Sequence, residues 1–143
     1  MASYFSKFDS ERIVRAIADA ERKSSAQIRV HVTRRAPEDL AQRAERRFRL
    51  LGMTNTAEHN GVLIYIAPRA RKFRILGDVA IHEKCGDDFW KDVASAMEGF
   101  FRKGEFTEGV IHGIERVGEV LAAHFPRSGK EVVNELPDEI DED

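Results

Sequence analysis

A chain of 143 residues is long enough to bury a real core and too short to divide into two domains. Apolar residues at 42% beside charged residues at 34% describe a globular protein, and no apolar run approaches the ~20 residues that cross a bilayer. The single cysteine, Cys85, excludes an internal disulfide framework and suits a reducing compartment. MASYFSKFDSERIV has no basic segment leading into an apolar run, so the expectation is a cytoplasmic protein without a signal peptide.

Taken in chain order, Ser10 followed by ERIVRAIADAERK predicts a first helix with Ser10 as N-cap and Ile13, Ala16, Ile17 and Ala20 on one face. Ser24-Ser25 end it. AQIRVHVT alternates strictly, Ile28, Val30 and Val32 against Arg29, His31 and Thr33, which predicts a strand with one wetter face. Pro37 suits the first turn of a second helix striped by Leu40, Ala44, Phe48 and Leu51, and Gly52 can end it. GVLIYIA is apolar on both faces and reads as a central strand covered above and below. KFRILG is a more mixed strand, and Pro68 through Arg71 make the turn between the two.

Asp87 or Asp88 then caps a third helix, with Phe89, Val93, Met97 and Phe100 at helical spacing and an end near Gly104. Thr107 caps the last helix, whose buried side carries Val110, Ile114, Val117 and Leu121. Gly109, Gly113 and Gly118 in that helix each cost about 1 kcal/mol of propensity relative to Ala, so close packing has to offset them. From Pro126 onward seven acids face Arg127 and Lys130, a charge of −5 in a chain of net charge −2, which leaves +3 for the rest. So acidic a segment, with two prolines, is expected to be disordered and solubilising; Leu136 and Ile140 are its only anchors for a binding role. The fold class expected is α/β: a three-layer α/β/α sandwich over residues 1–126, on a small mixed sheet with one right-handed parallel crossover and one antiparallel hairpin, followed by the acidic tail 127–143.

The hairpin decides where chemistry can gather. It opens on His59-Asn60 and closes on Gly77-Asp78, and an antiparallel pair brings its outer ends together. Glu58, His59, Asn60, Asp78, His82, Glu83, Asp87 and Asp88 therefore share one loop region. Carboxylates, an amide oxygen and loop carbonyls are the ligand set of a hard cation such as calcium. The spacing is not that of an EF-hand loop, and the same residues also serve as loop hydrogen-bonders and helix caps. His82 and Cys85 would give zinc only two of its four ligands. The opposite end of the sheet carries Arg34, Arg35, Arg69, Arg71 and Lys72, a competing patch for a phosphate or an anionic lipid.

No phosphate loop, nucleophile elbow or H-E-x-x-H motif is present. Cys85 has Lys91 six residues on, where a cysteine-phosphatase loop needs arginine. His31, His112 and His124 fall on regular elements and read as structural or surface residues; Trp90 reads as core. Basic patches interleaved with exposed aromatics are missing, which argues against nucleic-acid binding.

Several stretches, LLGMTNTAEHNGVLIYIAP, ILGDVAIHE, the FW pair at 89 and 90 and GEFTEGVIHGIERVGEVLAAHFP, resemble the TPM domain family, which includes thylakoid-lumen acid phosphatases and related bacterial proteins. The likeness runs from about Ser10 to Pro126 and is nearest to short bacterial members. It implies an α/β/α sandwich, bound calcium in some relatives, acid phosphatase activity in plant members, and a link to membrane-protein maintenance through a membrane-associated partner. Many relatives carry a signal peptide and an anchor, which are not seen here. Gly77-Asp78 stands where others have Gly-x-Gly. The function expected is a module binding a divalent cation, with Asp78, Asn60, Glu58, His59, Glu83 and Asp87 as ligands. The alternative is a weak metal-assisted phosphatase with Asp78 or Glu58 as base.

Overall fold

The computed structural model describes residues 9–126 and 140–143. Helix α1 (Ser10–Arg22) leads into β1 (Gln27–Val32), α2 (Leu40–Leu50), β2 (Gly61–Ala67), β3 (Lys72–Gly77), α3 (Val79–Arg102), α4 (Phe106–His124) and a short β4 (Asp141–Glu142). The sheet order is β3-β2-β1-β4, with β1 parallel to β2 and to β4, and β2 antiparallel to β3.

Strand pleating sorts the side chains onto two faces. Ile28, Val30 and Val32 of β1 and Val62, Ile64 and Ile66 of β2 form one core with α1, α3 and α4. Leu63 and Tyr65 point the other way and pack with Ala44 and Phe48 of α2. Every residue of β2 is buried. The expected α/β/α sandwich is the observed architecture, with three helices on one face and one on the other.

Several local expectations are corrected. Asp9, not Ser10, caps α1, its carboxylate accepting from the Arg12 amide at 3.2 Å. Pro37 lies ahead of α2, which starts at Leu40 after Asp39. Thr107 lies inside α4; its hydroxyl accepts from the Asp9 amide at 2.9 Å and so ties the starts of α1 and α4 together. Helix α3 starts at Val79 under Asp78, well before Asp87, and Gly86 (φ 72°) breaks it into two segments. The stretch after Asp78 looked like a loop because the six residues AIHEKC, 80 to 85, have only Ile81 fully buried. The wetter face expected of β1 is buried too: Arg29, His31 and Thr33 are at most 7% exposed. His31 lies against Asp141 and Asp143, which Arg47 of α2 holds from the other side.

The acidic stretch divides. Residues 127 to 139, including Leu136, lie outside the described residues, whereas Ile140 packs on the main core and Asp141–Glu142 extend the sheet. Disorder is therefore not the state of the last four residues.

The helix glycines mark close contacts as expected. A Cβ on Gly118 would lie 2.8 Å from Ala20 Cβ of α1, a rigid neighbour that cannot swing away. Gly118→Ala should therefore lower the thermal midpoint despite the helix propensity of Ala, by an overpacking cost of about 1–3 kcal/mol. Gly99→Ala in α3, where a Cβ meets nothing within 4 Å, should raise stability by up to about 1 kcal/mol. Thermal unfolding of both variants checks the contrast.

Candidate functional site

Three chain segments converge where β1 and β2 begin and β3 ends. The pairing Val62↔Gly77 sets Asn60 and Asp78 at the same end of the hairpin. The Asp78 amide donates to Gly61 O at 2.9 Å and the Ala80 amide to His59 O at 3.2 Å. Buried Thr56 folds the preceding loop back, its hydroxyl accepting from the Asn60 amide at 3.3 Å. His59 takes a left-handed conformation (φ 52°) to complete that reversal. From the third segment, Ser25 Oγ accepts from Asn60 Nδ2 at 3.1 Å. Gly61 is required here because a Cβ would sit 2.9 Å from the Met53 carbonyl oxygen.

The polar inventory is uneven. Asp78 is 9% exposed and Asn60 1%. Asp78 Oδ1 caps α3 by accepting from the Val79 amide at 2.8 Å, while Asp78 Oδ2 and Asn60 Oδ1 are buried without a hydrogen-bond partner among the described residues. The exposed His59 ring places Nδ1 3.7 Å from Asp78 Oδ2, an electrostatic contact too long for a hydrogen bond. A buried oxygen with no donor costs on the order of 1–3 kcal/mol, so two at one end of a sheet require an explanation.

The structure brings together His59, Asn60 and Asp78 of the residues expected from sequence. Glu58, Glu83, Asp87 and Asp88 are exposed, and among the described residues no three of His, Cys, Asp or Glu are grouped to hold a metal ion. His82 leans on Trp90, ring centroids 6.1 Å apart. Cys85 is half-buried, and burial pushes its thiol up, which makes it a poor nucleophile at neutral pH. Ser25 and Thr56 escaped notice in the sequence. Ser-Ser after a helix and Thr in an AEHNG-leading loop read as plain punctuation, and only the tertiary pairing gives them partners.

At the basic end, Arg34 is engaged: its amide and Nε both donate to the main-chain oxygen of Asp143, at 3.1 and 3.4 Å. The Arg35 amide donates to Thr33 Oγ1 at 3.2 Å. Arg71, in the left-handed conformation after the hairpin's 3-10 turn, and Lys72 line a cavity of about 690 Å³ floored by Ile66, Phe73 and Phe101. Arg69 is exposed nearby.

A helix-covered mixed sheet with its polar loops at one end defines an α/β sandwich domain, and residues 1–120 match the TPM domain. The chain belongs to the TPM domain family. Its fold is similar to the NMR structure of the BA42 protein from the psychrophilic bacterium Bizionia argentinensis, at 37% identity over 100% of this chain and 98% of that one, with a TM-score of 0.89. The N-terminal domain of a P. gingivalis protein shares the fold at 21% identity, over 80% of this chain and 72% of that one (TM-score 0.64). So does the N-terminal domain of the cg2496 protein from Corynebacterium glutamicum, at 16% identity over 91% and 82% (TM-score 0.61). No curated protein matches the chain. Among the described residues no helix is long and apolar enough to cross a membrane.

The two roles of Asp78 are separable. Asp78→Ala removes the cap of α3 and should cost about 1 kcal/mol in divalent-free buffer, whereas Asn at 78 can still cap and should cost only a few tenths. Chemical denaturation of the two variants beside the parent measures the difference.

Proposed function

We propose that this TPM domain is a binding module whose loop end takes a divalent cation, with calcium the best match to an all-oxygen set. The observation that carries the reading is the pair of buried, unpartnered oxygens, Asn60 Oδ1 and Asp78 Oδ2, at the end where three segments meet. Calcium accepts carboxylate, amide and main-chain oxygens together with water, so these two atoms need only loop carbonyls and solvent to complete a shell. Glu58, Glu83 and Asp87 would contribute through reorientation of exposed side chains or through water. His59 would stay outside the shell of a hard cation, and zinc would find no tetrahedral set there. One tightly placed carboxylate implies weak affinity, toward the millimolar end of the known range.

A phosphatase reading builds on the same cation, which would polarise a phosphoryl oxygen while Asp78 or Glu58 took a proton from water. Asp78 is poorly free for that work, since its Oδ1 already caps α3. The binding role is therefore preferred, with a membrane-associated protein as the partner the family suggests.

Calcium that binds only the folded state raises stability by about 2.7 kcal/mol at one hundred times its dissociation constant, a shift of several degrees. Asp78→Asn should abolish most of that shift and leave the divalent-free midpoint nearly unchanged. Substituting Arg71 by Gln at the far end should leave it intact. A wild-type midpoint that ignores about 10 mM calcium, a concentration above the weakest calcium modules, or a shift that survives Asp78→Asn, counts against the site.

A further inference from the structure

The second convergence of polar groups lies at the opposite end of β1, where the chain's last residues sit. His31 is fully buried, with Nδ1 2.6 Å from Asp141 Oδ2 and Nε2 3.1 Å from Asp143 Oδ1. Arg47 of α2 donates to Asp143 Oδ2 at 2.9 Å and stands 3.8 Å from Asp141 Oδ2. Tyr65 of β2 stacks on the imidazole at 4.8 Å between centroids. Main-chain pairing completes the seat: the Asp143 amide donates to Val32 O at 3.2 Å, and the Arg34 amide and Nε grip the Asp143 main-chain oxygen. Side chains alternate as on any strand, Ile140 against the core and the two aspartates toward His31 and Arg47.

Two features separate this contact from ordinary edge protection. The lower edge of β1 is already closed, by the bridge Ser24↔Pro126 and by Glu21 Oε2, which accepts from the Ile28 amide at 2.7 Å. Only the stretch from His31 to Arg34 accepts the last strand, through a two-residue pairing that is marginal by itself. Thirteen residues, 127 to 139, separate Pro126 from Ile140, and β4 runs parallel to β1, so the strand is not the arm of a hairpin with β1. Its Asp141, Asp143 and Arg47 contacts are still about a quarter exposed.

We propose that the upper edge of β1, with His31, Arg34 and Arg47, is a receptor for an acidic extended segment of another polypeptide that carries two aspartates two residues apart behind an apolar residue, and that this chain's own Ile140–Asp143 occupies it in cis as an exchangeable pseudo-ligand. Strand addition supplies affinity through the main chain and specificity through alternate side chains. Here the specificity comes from charge: the two aspartate carboxylates face the imidazole nitrogens of His31 and the guanidinium of Arg47. The groups around that ring are Asp141 of β4, Asp143 just after it and Tyr65 of β2, with Arg47 of α2 held on the two carboxylates and Arg34 on the Asp143 main-chain oxygen.

The acid limit follows from Asp143. Burial works to raise its carboxyl, but the Thr33 hydroxyl, His31 and Arg47 outweigh this and hold it below the usual carboxylate range. A carboxyl lowered on docking favours the docked state above its free value and loses that contribution as pH falls through the lowered one. Docking therefore weakens as pH falls through the lowered titration of Asp143.

In the wild-type chain, the Asp143 amide should be protected from hydrogen exchange at about pH 6 and lose protection as pH falls through the lowered titration of Asp143. Protection that stays constant after Asp143 has taken up its proton would overturn the charge-gated contact. In the full chain carrying Asp141→Asn and Asp143→Asn, a labelled peptide of residues 137–143 should bind saturably, about tenfold more tightly than the same peptide with both aspartates replaced by asparagine. Adding Arg47→Gln should erase that preference. Equal binding of the two peptides, or none, would make the last strand a fixed staple and contradict the receptor.

Discussion

The structure depends on the burial of β2 on both faces. Val62, Ile64 and Ile66 enter the core under α1, α3 and α4, while Leu63 and Tyr65 enter the smaller one under α2. Five such side chains contribute on the order of 10 kcal/mol gross, comparable to the whole net stability of a domain this size. A strand so committed cannot slip, because a shift of one residue would exchange its two faces. Its registers with β1 and β3 are fixed in consequence. Asn60 and Asp78 meet at one end, and His31 lies beside Tyr65 near the other.

Two polar clusters follow from that one constraint, and they differ in kind. The Asn60–Asp78 end holds oxygens in excess of donors, which is the condition a cation relieves. The His31–Arg47 end holds donors that an acidic strand satisfies. The charge division of the sequence, +3 before Pro126 and −5 after it, has its structural counterpart in that second contact. Long-range attraction between body and tail is converted there into short, charge-assisted hydrogen bonds.

Periodicity made the layers legible. GVLIYIA, apolar at every position, could only be an internal strand, and the hairpin gave the end at which His59, Asn60 and Asp78 gather. Caps were harder to read, since Asp9 and Ser10 are adjacent and both suit an N-terminus, and Thr107 looked like a cap because its hydroxyl's true partner lies 98 positions away. The polar face of β1 misled for a related reason. Arg29, His31 and Thr33 alternate as a wet face would, and nothing local shows that they are buried. His31 was read as an ordinary structural histidine because both of its partners lie more than a hundred residues further on, in a stretch whose composition argues for disorder. Composition averages over that stretch, but four residues with one apolar anchor and two well-spaced aspartates suffice to dock.

The central claim is that the β2–β3 register assembles a cation site from loop residues far apart in sequence. Titrating calcium into the uniformly labelled protein and following backbone amide shifts by NMR tests it residue by residue. The account predicts saturable shifts confined to Ser25, residues 56–61 and residues 77–82, with the amides of Arg34, Arg71 and Asp143 unmoved. Shifts centred on Asp141–Asp143, or none at all in the labelled protein, would contradict it.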